Sequence, residues 1–289
     1  MARDQVRGGD VTGIHDRFGG EQDEDIARLH LLRQATENGR RIGDVARLAL
    51  PELQALVQQD QGAAVPSLVA PTGQPPSATR EHVDACLAAV QQLDSAALEA
   101  ALAHAARSLS IPLLLQDVIG TLMLEIGERW RTGVLRPCHE HMATAQIRFF
   151  LGNLLLHSAM TGTGPRLVVT TPAGQRHELG ALLVAVTAAQ AGWTPLYLGA
   201  DIPSDEIAFA VTAKAAAAVA LSISYPGDDP RLGDALRRLR RQLPERVVLL
   251  VGGAAAAGYQ PVLAEIGALQ PSDLATLRLE LDRIRGGWN

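Results

Sequence analysis

The sequence LVVTTPAGQRHELG, residues 167–180, determines how the C-terminal half of the chain folds. Its apolar, β-branched start stops at a Pro/Gly turn, and a helix rich in Ala, Leu and Val begins near Glu178. This order predicts a strand, a loop and a helix N-terminus, which is where open α/β sheets bind their ligands. His177 lies in that loop, and Gly180 lets a bulky ligand approach the backbone because it has no side chain.

Two further strand ends follow downstream. The apolar run VALSIS (219–224) ends in Ser222 and Ser224, and the run VVLLVGG (247–253) ends in a glycine pair. Because the carboxyl ends of parallel strands meet at one edge of a sheet, these small residues would line one deep slot beside the histidine loop. His-x-x-Gly by itself is more often a solvated loop pattern, so the prediction of a binding slot depends on the ordered set.

This ordered set resembles the cobalamin-binding Rossmann-like module, whose signatures D-x-H-x-x-G, S-x-L/T and G-G occupy these places. The resemblance implies that His177 is the lower axial ligand of cobalt, a role that suits a neutral imidazole. It implies that the dimethylbenzimidazole tail lies in a slot of small residues, namely Gly180, Ser222, Ser224, Gly252 and Gly253. The other loop residues assigned to cofactor contact are Gln175, Arg176, Glu178 and Tyr225.

Gln175 stands where the family signature has an aspartate, two residues before the histidine. A carboxylate there would orient the imidazole and raise its basicity. An amide oxygen can accept the ring N–H but adds no negative charge. We therefore expect a weaker or more easily exchanged bond between His177 and cobalt.

Length and composition set the broad class of the protein. The 289 residues have room for two or three small domains, and 47% hydrophobic but only 3% aromatic content predicts an aliphatic interior. The formal net charge of −5 gives no general attraction to nucleic acid or to anionic membranes. The two cysteines cannot form a disulfide framework, and the sequence has neither a membrane-spanning apolar run nor a signal peptide. We expect a cytoplasmic protein that does not interact with membranes.

The sequence of residues 1–60 predicts a disordered arm followed by two helices. The arm covers residues 1–20. The region 25–56, and especially the string DEDIARLHLLRQATENGRRIGDVARL (23–48), resembles the second half of a MerR-type DNA-binding domain. The helix-turn-helix half is absent, and acidic residues outnumber Lys plus Arg before Gln61. We interpret this region as a truncated MerR-like helical pair that forms an oligomer contact, and we expect no autonomous DNA binding.

The rest of the chain predicts an α/β fold in which a four-helix bundle is followed by a parallel sheet. After a Pro/Gly-rich linker (61–79), the bundle (80–163) has helical stretches at 80–92, 95–108, 111–131 and 137–159. From 164 to 289, helices alternate with strands at 166–171, 195–198, 217–224, 247–251 and, weakly, 267–269. The flavodoxin-like, or Rossmann-like, strand order is the one expected for a cobalamin-binding module.

The connection between the last two bundle helices, ERWRTGVLRPCHEHM (128–142), resembles the helical cap of CarH-type cobalamin photoreceptors. That family carries W-x9-E-H, and Trp130 and Glu140-His141 have this spacing. The resemblance implies a lid over the upper cobalt face, with Trp130, Glu140 and His141 packed around the 5′-deoxyadenosyl group of adenosylcobalamin. Without the resemblance, Trp130 would be a core residue and Glu140 a first-turn carboxylate favoured by the helix dipole.

Arg131 is a second departure from the family pattern. In the best-known members a histidine follows the tryptophan and captures cobalt after light cleaves the cobalt–carbon bond. A charged guanidinium cannot ligate cobalt, and His139 and His141 are the nearest substitutes in sequence. We therefore do not expect a prompt product with two histidine ligands.

A second chromophore is also suggested by resemblance. The photocobilin subgroup of these sensors binds a bilin beside the cobalamin, and Cys138-His139 is similar to the Cys-His pair that anchors bilins in phytochromes. A match of two residues is common by chance, and Cys138 is more readily explained as a small helix-start residue. Biliverdin bound without a covalent link stays open as a second cofactor.

The resemblance covers residues 80–289 and, as half a motif, 25–56. It implies a light-responsive regulator rather than an enzyme, in which photolysis changes the conformation or assembly of a homo-oligomer, a dimer or tetramer. A further protein partner is left open. The alternative is a corrinoid methyl carrier or a component of a cobalamin-dependent enzyme. The lid signature, Gln175 and the absence of another catalytic module favour the regulator.

Overall fold

The computed structural model describes residues 12–37, 40, 42–62, 77–159, 164–225 and 227–287. The chain divides into two compact units, residues 1–63 and 64–289. No helix among the described residues is long and apolar enough to cross a lipid bilayer.

The first unit contains helices α1 (Thr12–Glu37), α2 (Ile42–Val45) and α3 (Leu50–Gly62). A small apolar core joins them, formed by Ala35, Val45, Leu53 and Val57 with flanking leucines. The second predicted helix is divided because Pro51, in the first turn of α3, has no N–H to continue a helix from α2.

Helix α1 begins earlier than the sequence suggested. The prediction of a disordered arm is wrong for residues 12–20, and residues 1–11 lie outside the described part of the chain. Each glycine in a helix interior lowers helix stability by about 1 kcal/mol relative to alanine. Helix α1 nevertheless runs through the glycines at 19 and 20 and continues to Glu37.

The second unit begins with the predicted helical bundle. Its helices are α4 (Ser77–Gln91), α5 (Ser95–Ser108), α6 (Ile111–Leu113), α7 (Thr121–Arg131) and α8 (Pro137–Ala159). A π-helical segment, Leu114–Gly120, joins α6 to α7, so the stretch predicted as one helix over 111–131 is continuous but contains a change of winding.

A parallel sheet follows in the order β2-β1-β3-β4, which confirms the flavodoxin-like prediction. The strands are β1 (Arg166–Thr170), β2 (Thr194–Tyr197), β3 (Ala218–Ser222) and β4 (Val248–Gly252). The weak fifth strand is a single bridge between Leu250 and Leu269. The covering helices are α9 (Leu179–Gln190), α10 (Ser204–Ala213), α11 (Pro230–Gln242), α12 (Gln260–Glu265) and α13 (Leu274–Gly286).

Helix α9 is buried between the bundle and the sheet. Every residue from Ala181 to Ala188 is buried, which requires an apolar surface around the whole helix. Its side chains belong to the same core as those of the bundle and of β1 and β3. The N-terminus of α9, with the loop that carries His177, therefore lies where the bundle meets the edge of the sheet.

Candidate functional site

The slot predicted at the sheet edge begins where Gly180 meets Ser222. A methyl group added at Gly180 would lie 2.7 Å from the Ser222 hydroxyl oxygen, so α9 can come this close to β3 only with glycine there. Ser222 is 3% exposed, and its Oγ has no hydrogen-bond partner in the described part of the chain. Buried polar groups are normally paired, so an unpaired hydroxyl at a sheet edge indicates a place for a ligand atom.

The glycine pair ends β4 directly beside this hydroxyl. Gly252 pairs with Ser222 in the parallel ladder. Gly253 has φ of +105°, and a side chain there would collide with the backbone carbonyl of Ile223. A side chain at Gly253 would therefore collide with backbone atoms, whereas a side chain at Gly180 would collide with the side chain of Ser222.

Gln175 connects two loops of the site. Its side chain is buried, and Oε1 accepts hydrogen bonds from the backbone N–H groups of Ser224 (2.9 Å) and Tyr225 (3.0 Å). Both acceptor positions of this oxygen are therefore used. The expectation that it would accept the ring N–H of His177 is not met, because the loop after β3 presents two backbone donors that need an acceptor.

Asp201 fixes the same loop from the other side. Its Oδ1 accepts from the backbone N–H of Gly174 at 2.6 Å, and its own N–H donates to the Thr171 hydroxyl at 2.9 Å. Neither Asp201 nor Thr171 was predicted to be a site residue. Asp201 could have been found by applying to β2 the rule used for the other strands, since it follows the carboxyl end of that strand.

His177 is exposed in the loop before α9, yet the surrounding protein desolvates its ring. This desolvation lowers the pKa of the imidazole below its ordinary value, and the negative charge of Glu140 opposes it with a smaller effect. The neutral imidazole, which is the form that binds a metal, is therefore favoured at neutral pH. The same interaction puts the lid carboxylate of Glu140 within electrostatic range of His177.

Glu178 joins the site to the bundle. It is the N-cap residue of α9, and its Oε1 lies 3.1 Å from the Arg148 guanidinium of α8. Its Oε2 accepts from the Tyr197 hydroxyl of β2, whose pKa is raised by burial and then by this hydrogen bond. Neither Arg148 nor Tyr197 was among the predicted site residues, because only the fold brings these distant positions together.

The lid residues lie at the end of α7 and the start of α8. Trp130 is half-buried against the shared core, and Glu140 accepts from the Thr144 hydroxyl at 2.7 Å. The His141 ring lies 2.8 Å from the Glu140 carboxylate and is 79% exposed. His139 accepts from the Arg136 N–H at 3.2 Å and so caps α8.

The remaining predicted residues face solvent. Arg131 is ion-paired with Glu128 at 2.6 Å, and Arg176 is exposed in the loop before His177. Cys138 is exposed in the first turn of α8, with its Sγ 3.6 Å from the Nδ1 of His139.

The residues present fit cobalamin. A neutral imidazole could hold cobalt, and the small residues Gly180 and Ser222, with a hydroxyl that has no partner among the described residues, suit a flat, nitrogen-containing tail. Comparison with protein families agrees with this fit. Residues 165–270 match the B12 binding domain, and residues 83–154 match a second B12 binding domain model.

Relatives match over most of the chain. The HTH-type transcriptional repressor CarH of Myxococcus xanthus is 30% identical over 244 residues, which cover 83% of this chain and 78% of CarH. The repressor CarA of the same organism is 28% identical over 169 residues, 58% of this chain and 56% of CarA.

A solved structure shares the fold. The monomethylamine corrinoid protein of Methanosarcina barkeri superposes with a TM-score of 0.59 at 18% identity, over 71% of this chain and 99% of that protein. At this identity the likeness concerns the fold alone. The extent and identity of the match to CarH, together with the two B12 binding domains, show that the chain belongs to the CarH-type family of B12-binding proteins.

Proposed function

We propose that this protein binds adenosylcobalamin through His177 and acts as a light-responsive regulator rather than as an enzyme. The observation that carries the proposal is the buried Ser222 hydroxyl, which has no partner among the described residues and lies where Gly180 of α9 meets β3. The His177 ring in the loop before α9 is desolvated by the surrounding protein, which lowers its pKa and favours the neutral form. A nitrogen atom of the cofactor tail would give this hydroxyl the acceptor that the protein does not provide.

The lid residues support adenosylcobalamin as the bound form. Trp130 carries an indole at the end of α7, and Glu140 carries a carboxylate at the start of α8 whose charge acts on His177. An adenine ring can stack on an indole, and ribose hydroxyls donate well to a carboxylate. When bound, this cofactor supplies a cobalt–carbon bond that visible light breaks.

Glu178 supports a route from the cofactor loop to the bundle. It follows His177 directly in sequence, and its ion pair with Arg148 joins α9 to α8, the helix that also carries Glu140 and His141. A shift of the His177 loop would therefore strain a contact between the two parts of the second unit. Repacking of the bundle surface is the expected consequence.

The N-terminal unit supports assembly more than DNA binding. Ile26 and Leu29 are 54% and 65% exposed on α1, and such apolar surface favours pairing with a second copy of the chain. CarH and CarA are named as transcriptional repressors, and we propose regulation for this chain too, through protein assembly in the cytoplasm. The alternative, a corrinoid methyl carrier, predicts stable methylcobalamin binding and an oligomeric state that does not change on illumination.

Illumination is expected to change the assembly state of the reconstituted protein. A cofactor that binds one assembly state better must shift the equilibrium toward that state, and its loss of the adenosyl group must shift it back. Absorption spectra and size-exclusion chromatography, before and after illumination with adenosylcobalamin, measure both steps. A monomer under apo, dark and illuminated conditions alike would contradict regulation by assembly. A long-wavelength band after addition of biliverdin would reveal a second chromophore.

Ser222→Ala is expected to have opposite effects on stability and on binding. Removing an unpaired buried hydroxyl should raise the free energy of unfolding of the apoprotein by about 1 kcal/mol or more. The same change should weaken cobalamin binding, because the tail loses its donor. Urea unfolding and equilibrium dialysis measure the two effects, and lower apoprotein stability with unchanged binding would contradict the role assigned to Ser222.

Arg131→His is expected to alter the illuminated product. The charged guanidinium of Arg131 is paired with Glu128 and cannot ligate cobalt, so the unaltered protein should lack a prompt spectrum of two imidazole ligands. A histidine at this position should produce that spectrum. Arg131→Gln, which breaks the same ion pair without supplying a ligand, is the matched control. A two-imidazole spectrum in the unaltered protein that disappears in His141→Ala would contradict this prediction.

A further inference from the structure

A cavity lies at the opposite end of α9 from His177, and the π-helical segment and α13 both contribute to its lining. Its volume is about 300 Å³, at the lower end of the range found for small-molecule sites. The apolar lining residues are Ile111, Pro112, Leu115, Leu274, Ala275 and Leu279. Four residues with polar side chains complete the wall: Gln116, Thr187, Gln190 and Arg278.

The π-helical segment shapes one wall of this cavity. π-helices are rare, and they often occur at functional sites because the wider turn redirects side chains. Here the segment contributes Leu115, which is buried, and Gln116, which is half-buried.

Thr187 contributes an unpaired buried hydroxyl. A threonine within a helix usually donates to the carbonyl four residues earlier, as Thr212 does to Ala208 at 3.0 Å. Thr187 lies within α9 and is 8% exposed, yet its Oγ1 has no partner among the described residues. The hydroxyl is therefore available to an acceptor from outside the helix.

Arg278 contributes an unpaired positive charge at the exposed side of the cavity. On the same helix, Arg283 is paired with Glu280 and Arg285 with Asp282. Arg278 is exposed and makes no ion pair within the described part of the chain. A guanidinium in this state matches a carboxylate in charge and in planar geometry.

We propose that this cavity binds a small amphipathic carboxylate that carries a polar atom at its far end. The carboxylate pairs with Arg278 at the mouth, and the aliphatic or aromatic body packs on Leu115 and Leu274. The far polar atom accepts a hydrogen bond from the deeply buried Thr187. This site is separate from the cobalamin slot, and the proposal does not depend on cobalamin binding.

Isothermal titration calorimetry of the full chain tests the site with 8-hydroxyoctanoate, octanoate and octan-1-ol. We expect 8-hydroxyoctanoate to bind best, and octan-1-ol to bind at least about tenfold more weakly because it lacks the charge. Arg278→Gln should weaken both carboxylates by a similar factor, whereas Arg283→Gln, on the same helix outside the cavity, should not. Thr187→Val should remove the preference for 8-hydroxyoctanoate over octanoate.

Three outcomes would overturn the proposal. The first is no binding of any probe by protein whose circular dichroism shows it to be folded. The second is equal weakening by Arg278→Gln and Arg283→Gln. The third is a combination of two results: no probe binds the unaltered protein, and Leu279→Glu changes the mass of the oligomer. That combination would show that the cavity is part of an interface between copies of the chain.

Discussion

Replacing His177 with alanine is expected to abolish the absorption spectrum of histidine-ligated cobalamin and to weaken cofactor retention. The imidazole lies in the loop that leads into α9, and desolvation lowers its pKa so that the metal-binding neutral form predominates. Alanine offers no ligand, and the loop itself is held by Gln175 and Asp201 rather than by the histidine. The variant should therefore fold normally.

The measurement is an absorption spectrum of the variant after reconstitution and gel filtration. His104→Ala, an exposed histidine of α5, is the matched control and should keep the bound spectrum of the unaltered protein. An unchanged bound spectrum in His177→Ala would show that another group ligates cobalt. Circular dichroism identifies a variant that has lost its fold.

Much of the fold could be predicted because local sequence signals agree with the global architecture. The runs that form β1, β3 and β4 are apolar in their central residues, as expected for a parallel sheet covered on both faces. Small residues at their carboxyl ends predict a slot at this edge of the sheet. Helix bounds at 95–108 and 137–159 were also correct because Pro and polar residues mark them clearly.

The contacts that complete the site could not be read from the sequence. Glu178, in the loop before α9, contacts Arg148 of the bundle helix α8 and Tyr197 of β2. These residues are distant in sequence, and only the packing of the folded chain brings them together. Gln175 shows a second limit. The sequence predicts that this position belongs to the site, but its hydrogen-bond partners are backbone groups of another loop that carry no sequence signature.

The π-helical segment shows a third limit. Its sequence, LLQDVIG over residues 114–120, has the apolar spacing of an ordinary helix. The segment packs against α4 and α5, which lie earlier in the chain. A property that depends on neighbours in space cannot be predicted from spacing along the chain.

Replacing Gly180 with valine is expected to cause the other large loss, reducing cobalamin affinity by about 100-fold or more if the tail occupies the slot. Even a methyl group at Gly180 would lie 2.7 Å from the Ser222 Oγ, and the two further methyl groups of valine would add bulk where the tail is proposed to lie. The serine side chain could rotate away from a single methyl group, which is why alanine would be a weaker test. Equilibrium dialysis measures the affinity.

Gly127→Ala is the control for this experiment, because a methyl group at Gly127 of α7 would meet no atom within 4 Å. It should leave affinity unchanged, and it should slightly stabilise the helix because alanine has the higher helix propensity.

Gly180→Val also separates the two parts of the proposed site. It blocks the slot but leaves His177 in place, so weak binding with a retained histidine-ligated spectrum is expected at high cofactor concentration. Unchanged affinity in a folded Gly180→Val protein would place the tail elsewhere, and the unpaired hydroxyl of Ser222 would then need another explanation.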